Sequence, residues 1–202
     1  MKILFSPFSP YVRKCLVTGM ELGLNERITL LPSNAHPVNR DREIIAINPL
    51  GKVPTFFTDD DQVLYDSRVI CEYLNDMAQG SLFPSSGCER WDTLTLQSLG
   101  DGILDAALLA RYEDVARPET SRWANWKAAQ LDKIETSIAA MNVRPTWLAD
   151  RMDIGSITVG CALWYLDLRF ADWGWRERHP GIGAWYAKFS QRPAMAAIWS
   201  LG

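Results

Sequence analysis

The fold of the first part of this chain is decided by the stretch Asn48-Pro49-Leu50-Gly51-Lys52-Val53-Pro54, which continues into Thr55-Phe56-Phe57-Thr58. Pro49 and Gly51 are typical of a turn, and Pro54 lacks the N–H that an interior strand position needs. The Val53-Pro54 bond is a candidate for the cis isomer. A cis bond would turn the Val53 N–H and C=O away from the sheet, where an extended peptide can pair with them as an added strand does.

A second signal follows at Asp66-Ser67, directly before an apolar run at helical spacing. A helix N-terminus has unpaired N–H groups and a partial positive charge, which suit a ligand carboxylate. The Asp66 carboxylate can also accept a hydrogen bond from a ligand ammonium. Because Asp and Ser are favoured caps in any helix, each signal alone is equally typical of an ordinary turn or an ordinary cap.

The first 78 residues alternate between strand and helix periods. Short β-rich runs cover residues 2–5 and 28–31, and apolar residues at helical spacing lie between them. A short helix, a hairpin and a further helix are predicted around residues 41–47, 55–65 and 69–74. The resulting order β-α-β-α-β-β-α is that of a thioredoxin-like sheet.

The rest of the chain has a different character, since all nine tryptophans, Trp199 included, follow residue 90. Together with the Gly-, Ser- and Pro-rich segment 80–87, this predicts a domain at 1–78, a linker at 79–88 and an all-α helical domain at 89–202. Three long helices are expected, around 96–108, 126–141 and 157–168. The third is apolar on most sides, as a core helix is, with Asp153 and Ser156 at its N-cap and N3 positions.

Composition excludes several classes of protein. With 48% hydrophobic residues in 202, the chain can bury a core, and a net charge of -3 without a long basic run argues against nucleic acid or an anionic membrane as a partner. No apolar run has the length of a signal peptide or a membrane span. The four cysteines form no Cys-x-x-Cys pair and both histidines are isolated, so we expect reduced thiols, a cytoplasmic location and no metal.

The Val53-Pro54 pair and the later Asp66-Ser67 pair, after a βαβ pattern, resemble the glutathione transferase family over essentially the whole chain. The resemblance implies that Val53 pairs with the cysteinyl backbone of glutathione, while Asp66 and Ser67 hold its γ-glutamyl end. It also implies glutathione as co-substrate and a role in detoxification. One departure concerns the central helix, where the family usually has Ser or Thr at the cap and Asp three residues later.

Ser9 precedes a proline that suits the first helical position, so it lies where the first strand passes into the first helix. A hydroxyl there can donate a hydrogen bond to a sulfur, and the helix N-terminus favours thiolate over thiol. A cap alone explains Ser9 equally well. The position of Ser9 resembles that of the catalytic Ser in theta-, tau- and zeta-like classes of the family. Ser6 and Tyr11 are alternative candidates for the same catalytic role. Cys15 is better explained as a packing residue than as a catalytic one.

Further site residues are implied by the same resemblance. Lys52 resembles the residue that meets the glycyl carboxylate of glutathione, and Asn34 shares that role. A second-substrate cleft between the two domains is expected to be lined by Phe8, Tyr11, Leu104, Leu108, Arg111 and Tyr112. The family often forms a homodimer around the long helix, where Asp101 or Asp105 can reach the ligand of the partner.

Two classes of function therefore compete. One is a transferase that activates the glutathione thiol for attack on a small apolar electrophile. The other is a non-catalytic module that keeps the fold for binding or interaction. The transferase is favoured because the chain retains all five residues of the expected site, and a pure interaction module has no need of all five. They are Ser9, Val53, Pro54, Asp66 and Ser67. A glutathione-dependent isomerase is a third option, but the run of Ser and Cys that zeta-type enzymes carry at the helix start is absent.

Overall fold

A computed structural model describes residues 1–197 of the chain. In chain order, the elements are β1 Lys2–Phe5, α1 Pro10–Glu21, β2 Thr29–Pro32, α2 Arg42–Ile47, β3 Phe56–Phe57, β4 Val63–Leu64, α3 Ser67–Met77, α4 Gly87–Val115, α5 Ala124–Asn142, α6 Ile154–Arg169, α7 Trp175–Arg178, α8 Pro180–Phe189 and α9 Pro193–Ala197. These elements pack as two units. One comprises Met1–Pro84 with the described residues from Pro193, and the other Ser85–Arg192.

The boundary after Pro84 lies inside the segment predicted as a linker, but α9 groups with the first unit and not with the helical one. The sequence prediction assigned all residues from 89 onwards to a single domain. Because α9 packs on α1, the end of the described chain returns to the unit in which the chain began. Trp199 lies outside the described residues.

The first unit contains a four-stranded sheet with strand order β2-β1-β3-β4. β1 and β2 are parallel, with Leu4 opposite Leu31, as the intervening helix α1 requires. β3 is antiparallel to both β1 and β4, and β3 and β4 form a hairpin. This is the predicted β-α-β-α-β-β-α order with a thioredoxin-like sheet.

The core of the first unit is formed by the strand side chains that point inward, which alternate with outward-pointing ones, and by the apolar face of each helix. Its fully buried side chains include Ile3, Val12, Phe56, Ile70 and Leu74. Helix α3 shows why the sequence predicts this, since Ile70 and Leu74 are four residues apart and therefore lie on one face. The apolar stripe of α3 is thereby removed from water against α1, with which it packs closely.

The second unit is helical, and its described residues contain no strand. Helix α6 is its centre, because every residue from Ile154 to Leu166 is buried. Asp153 and Ser156 form a reciprocal capping box: the Ser156 N–H donates to Asp153 Oδ1 at 2.9 Å, and the Asp153 N–H donates to Ser156 Oγ at 3.0 Å. Asp153 at the cap and Ser156 three residues later, the reverse of the usual order, therefore still cap the helix.

Glycines let α4 and α6 approach closely. A Cβ on Gly155 would lie 2.9 Å from Leu96 Cβ, and a Cβ on Gly100 would lie 2.8 Å from Thr158 Cγ2. Leu96 of α4 thus meets Gly155 of α6, and Gly100, one turn later, meets Thr158. Because both helices progress in the same direction from one contact to the next, they run parallel. Their C-terminal ends consequently lie at the same end of the pair.

Helices α7 and α8 were not expected from the sequence. The segment Pro180-Gly181-Ile182-Gly183 contains poor helix formers, so its local propensity argues against a helix. Burial of Trp175, Ile182 and Tyr186 compensates, because these side chains pack in the helical unit. Among residues 1–197, no helix combines the length and the hydropathy that crossing a membrane requires.

Candidate functional site

The loop between α2 and β3 is held in shape by Asn48, whose side chain is 1% exposed. Its Nδ2 donates to the Lys52 carbonyl at 3.2 Å and to Thr55 Oγ1 at 2.9 Å, while its Oδ1 accepts from the Leu50 N–H at 3.0 Å. Asn48 was not among the predicted site residues. An Asn directly before a Pro-x-Gly turn was the available signal, since Asn side chains stabilise turns by bonding to the following backbone.

Gly51 completes this turn with φ of +62°, a conformation that L side chains rarely adopt. A Cβ at Gly51 would also lie 3.0 Å from both Arg40 Nη2 and Ile45 Cγ1. The Arg40 guanidinium is held over the turn because it donates to the Pro49 carbonyl at 2.9 Å. The turn is therefore braced from inside by Asn48 and from outside by Arg40.

This braced loop presents Val53 as the sequence predicts. The Val53-Pro54 bond is cis, which confirms the prediction, and the Tyr65-Asp66 bond is also cis. The following residue, Thr55, joins the sheet through its carbonyl, which accepts from the Leu4 N–H at 2.8 Å. Across the described residues, neither the Val53 N–H nor the Val53 C=O has a hydrogen-bond partner in the protein. One backbone donor and one acceptor are thus available to an extended ligand.

The N-terminus of α3 is the second part of the site. Asp66 is its N-cap, with Oδ1 accepting from the Arg68 N–H at 2.9 Å, and its carboxylate is exposed. Ser67 is buried, and its carbonyl faces the Cys15 thiol, with 3.9 Å between sulfur and oxygen. The exposed carboxylate of Asp66 can therefore meet a ligand ammonium while it still caps the helix.

Ser9 is the N-cap of α1, with Pro10 as the first helical residue, as predicted. Its hydroxyl oxygen accepts from the Val12 N–H at 3.3 Å, and the side chain is half-buried. The loop in front of Ser9 is held by Arg13, whose Nε and Nη2 donate to the Pro7 carbonyl at 3.0 and 2.9 Å. Arg13 therefore holds the backbone of the loop that leads into Ser9.

The early turn of α1 contains two buried basic residues. Arg13 is 4% exposed and Lys14 has no exposed surface. Cys15, predicted to be a packing residue, is buried with its sulfur 3.9 Å from Cys71 Sγ. Ser6 and Tyr11, the rivals of Ser9, are both half-buried. Helical periodicity therefore does not predict that the basic residues near the start of α1 are buried.

The two residues predicted for the glycyl carboxylate are both exposed. Lys52 contributes its carbonyl to the turn through Asn48 and Thr55, and its ammonium has no ion pair within residues 1–197. Asn34 follows β2, and its side chain makes no hydrogen bond in the same part of the chain. Both side chains are therefore available to a ligand.

The residues predicted for the second-substrate cleft differ in exposure. In the first unit, Phe8 is 53% exposed and Tyr11 is half-buried. In the second unit, Leu108, Arg111 and Tyr112 are half-buried along α4. Leu104 has no exposed surface and belongs to the core of that unit, so it offers no surface to a ligand.

One further expectation is corrected by burial. Asp101 is 1% exposed, so it cannot reach a ligand of a partner subunit, whereas Asp105 is exposed. Among residues 1–197, no group of three or more His, Cys, Asp or Glu side chains is placed to hold a metal ion.

Comparison with known proteins decides the family. Residues 8–77 match the family model described as glutathione S-transferase, N-terminal domain, and residues 124–188 match the corresponding C-terminal domain. The chain belongs to the glutathione S-transferase family. The first match contains every residue predicted to contact glutathione, whereas α4 lies between the two matched segments.

Relatives of this glutathione S-transferase family member agree with that assignment. It is 32% identical over 186 residues to the GST-like protein YibF of Escherichia coli (strain K12), covering 90% of each chain. A glutathione transferase family member from Pseudomonas fluorescens Pf-5, crystallised with bound glutathione, is 44% identical with a TM-score of 0.95, covering 98% of this chain and 97% of that one.

A further crystal structure from Pseudomonas fluorescens Pf-5 is described as a glutathione transferase family member with bound S-(propanoic acid)-glutathione. It is 43% identical to this glutathione S-transferase family member, with a TM-score of 0.90, and covers 98% of both chains. These two structures therefore show that the relative's fold accommodates glutathione and a glutathione thioether that bears a carboxylic acid.

Proposed function

We propose that this protein is a glutathione transferase that binds glutathione on its first unit and directs the thiolate at a small electrophile. The observation that carries the proposal is the unpaired N–H and C=O of Val53, in the same unit as the exposed carboxylate and N–H groups that begin α3. A tripeptide with an extended cysteinyl backbone, a free ammonium and two carboxylates needs this set of groups. The glutathione-bound relative at 44% identity supports the same ligand.

In the proposed mechanism, Val53 pairs with the cysteinyl backbone and thereby fixes the position of the sulfur. Asp66 accepts from the γ-glutamyl ammonium, and the Ser67 N–H donates to the γ-glutamyl carboxylate at the positive end of α3. Lys52 and Asn34 face the glycyl carboxylate. Each of these contacts binds or orients glutathione and does not change between substrate and transition state, so they contribute affinity.

The proposed activating group is Ser9, whose hydroxyl donates to the sulfur and stabilises the thiolate. A free thiol has a pKa of about 8.5, and each tenfold gain in thiolate corresponds to about 1.4 kcal/mol. A charge-assisted hydrogen bond of about 1.5 to 3 kcal/mol therefore accounts for a pKa lower by one to two. The start of α1 adds its N–H groups and partial positive charge.

The other functions proposed from the sequence make different demands. A non-catalytic module could bind glutathione through Val53 and Asp66 and would leave its thiol pKa at the ordinary value. An isomerase would activate the thiol but return glutathione unchanged. We favour the transferase because a bound thioether of glutathione, as in the relative at 43% identity, is what conjugation produces.

Ultraviolet difference spectroscopy of bound glutathione against pH tests the proposal. A thiolate band that appears with a midpoint below pH 8 and depends on Ser9 is the expected result. Binding without that band would contradict activation and favour the module. Absence of binding at millimolar glutathione would overturn the proposal as a whole.

We also propose a homodimer and a cytoplasmic location. All four cysteines are free thiols, which suits a reducing compartment. For the dimer, the helical unit has a groove of about 660 Å³ between α4 and α5, next to the 66% exposed Trp91. An exposed tryptophan beside such a groove is typical of an interface, and a second copy of this chain is the proposed occupant.

A further inference from the structure

Arg40 connects two loops of the first unit, one in front of α2 and one behind it. Its Nη2 donates to the Pro49 carbonyl at 2.9 Å. Gly51, two residues further on, is buried although it has no side chain, because Arg40 and Ile45 lie over it. A Cβ on Gly51 would be 3.0 Å from both Arg40 Nη2 and Ile45 Cγ1. The guanidinium therefore covers the turn that leads to Val53.

The position of Arg40 is itself set by a short turn that the His36 side chain closes. The Val38 and Asn39 N–H groups donate to His36 Nδ1 at 3.1 and 2.9 Å, and the Arg40 N–H donates to the Val38 carbonyl at 3.0 Å. A side-chain acceptor that bonds to N–H groups two and three residues later fixes a turn, as Asn and Asp do. We call His36 and Arg40 together the loop clamp.

The loop clamp lies at the surface, whereas the other brace of the same turn is buried. His36, Arg40 and Pro49 are exposed, and Asn48, which holds the turn from inside, is 1% exposed. Substitutions of exposed side chains usually change the free energy of unfolding little. The loop clamp therefore restricts the conformation of the turn more than it stabilises the fold.

We propose that His36 and Arg40 are positioning residues for glutathione. They fix the 49–53 turn so that the Val53 N–H and C=O are already placed for the cysteinyl backbone of the ligand. A loop that has its bound conformation before binding loses less conformational freedom, so rigidity is converted into affinity. The inference rests on the proposed function and adds two residues that act on glutathione through the backbone of Val53.

The same argument extends from affinity to the thiol. In the proposed function Val53 fixes the position of the sulfur, and Ser9 donates a hydrogen bond to it. Small errors in the position of a reacting atom weaken such a contact strongly. A loosened 49–53 turn should therefore lower the fraction of bound glutathione that is thiolate, as well as the affinity.

A direct role of Arg40 makes a different prediction. Within residues 1–197 its guanidinium pairs with no carboxylate, and a guanidinium matches a carboxylate in charge and in shape. If Arg40 bound the glycyl carboxylate, its removal would weaken only ligands that carry this group. A positioning residue acts through Val53, so its removal weakens ligands with and without the glycyl carboxylate equally.

The experiment is a calorimetric titration of the full chain with glutathione and with its C-terminal amide, γ-glutamylcysteinylglycinamide. The proteins are the wild type, Arg40→Ala, His36→Ala, His36→Asn and Arg42→Ala. Arg42→Ala is the matched control, because Arg42 is exposed, carries the same charge and makes no side-chain hydrogen bond or ion pair within residues 1–197. His36→Asn tests rescue, since an Asn side chain can accept from the same two N–H groups.

Arg40→Ala should weaken binding of both ligands by about three- to tenfold, as loss of one hydrogen bond from a charged donor warrants. His36→Ala should have a similar or smaller effect, His36→Asn should restore affinity to within about twofold of wild type, and Arg42→Ala should bind both ligands as the wild type does.

Two further measurements separate positioning from a merely structural role. The midpoint of the ultraviolet thiolate band of saturating glutathione should move to higher pH by about 0.5 in Arg40→Ala, which corresponds to about threefold less thiolate. The urea midpoint of the same variant should move by less than about 0.3 M. Arg42→Ala should change neither quantity.

The outcomes that overturn the inference are distinct from those that overturn the proposed function. If Arg40→Ala weakens binding of glutathione but not of its amide, Arg40 contacts the glycyl carboxylate directly. If it binds both ligands as Arg42→Ala does, or lowers the urea midpoint as far as Asn48→Ala, the loop clamp does not position the ligand. Should Arg40→Ala not fold, equal affinities of His36→Ala and the wild type would overturn the inference instead. Absence of glutathione binding by the wild-type protein would remove the proposed function, and this inference with it.

Discussion

The Ser9 hydroxyl oxygen accepts a hydrogen bond from the Val12 N–H at 3.3 Å, so the residue proposed to activate the thiol is also the N-cap of α1. A hydroxyl has two acceptor lone pairs and one hydrogen to donate. Accepting from Val12 leaves that hydrogen available to a sulfur. Capping and activation are therefore compatible in one group, and stability measurements alone cannot separate them.

Ser9→Ala should lower the turnover of a model electrophile by about ten- to a hundredfold, since the bound thiol loses a pKa depression of about one to two. Glutathione affinity should remain within about twofold, because Val53, Asp66 and Ser67 supply most of it. Loss of the cap should cost about 0.5 to 2 kcal/mol of unfolding free energy. Ser9→Thr is the control that retains a hydroxyl. An unchanged thiol pKa and turnover in Ser9→Ala would transfer the role to Ser6, Tyr11 or an N–H of α1.

Asp66→Asn should weaken glutathione binding by about tenfold, because it removes the charge that meets the γ-glutamyl ammonium. Asn caps helices as well as Asp does, so the start of α3 should remain intact. Lys52→Ala should cost less than about threefold, since an exposed lysine contributes little when it is solvated. Calorimetric titration of both variants provides the comparison. Wild-type affinity in Asp66→Asn would remove Asp66 from the site.

Asn48→Ala should destabilise the first unit by about 1 to 3 kcal/mol, because it leaves the buried hydrogen-bonding groups of the 48–55 loop without their partner. Asn48→Asp keeps the acceptor for the Leu50 N–H but places a negative charge beside the Lys52 carbonyl, so it should be at least as costly. Asn34→Ala, at an exposed position, is the control and should change stability by less than about 0.5 kcal/mol. Urea denaturation measures all three. If Asn48→Ala left the free energy of unfolding unchanged, the loop would be held by Arg40 and Gly51 alone.

Thiol labelling should separate the four cysteines by burial. Cys88 is exposed, whereas Cys15, Cys71 and Cys161 are buried. A thiolate must reach the reagent in order to react, so Ellman's reagent should modify one thiol per native chain and all four after denaturation. Cys88→Ser should abolish labelling of the native protein. Rapid reaction of a second thiol would indicate that the helices covering the buried cysteines open readily.

Trp91→Glu should convert the proposed dimer into a monomer near 22.8 kDa in sedimentation at micromolar concentration. A charge placed in the apolar groove between α4 and α5 would remain unpaired if a second copy covered it. Trp123→Glu is the matched control, because Trp123 is 62% exposed and does not line that groove. If the wild-type protein already sediments as a monomer, or if both variants dissociate it equally, the groove is not the interface.

Local patterns were sufficient for the sheet and helices of the first unit up to α3 and for the three long helices of the second. Alternation and helical spacing predicted β1 to β4, the long helices and the capping box of Asp153 and Ser156, because each depends on residues within a few positions of one another. The same explanation applies to the cis Val53-Pro54 bond and to the caps Ser9 and Asp66, because each depends on neighbouring residues in the chain. The turn, the cis bond and the caps of the candidate glutathione site were readable for this reason, whereas the roles of its residues toward glutathione were implied by the family resemblance.

Where burial or distant partners decide the outcome, the sequence alone was insufficient. Helical spacing cannot show that Arg13 and Lys14 are buried, because it indicates a face and not what covers that face. For the same reason Leu104 was assigned to a cleft when its surface is fully covered. The weak helix formers of α8 are helical because their side chains are packed, which tertiary contacts alone can arrange.

The sequence by itself therefore determined where the backbone turns, caps and leaves Val53 unpaired, since these features follow from the chemistry of adjacent residues. Only the tertiary structure decided that Arg111 and Arg169, on helices far apart in the chain, lie at one end of the helical unit. That proximity depends on the parallel packing of α4 and α6 through Gly100 and Gly155. Charges that are distant in sequence interact only after packing brings them together and excludes water between them.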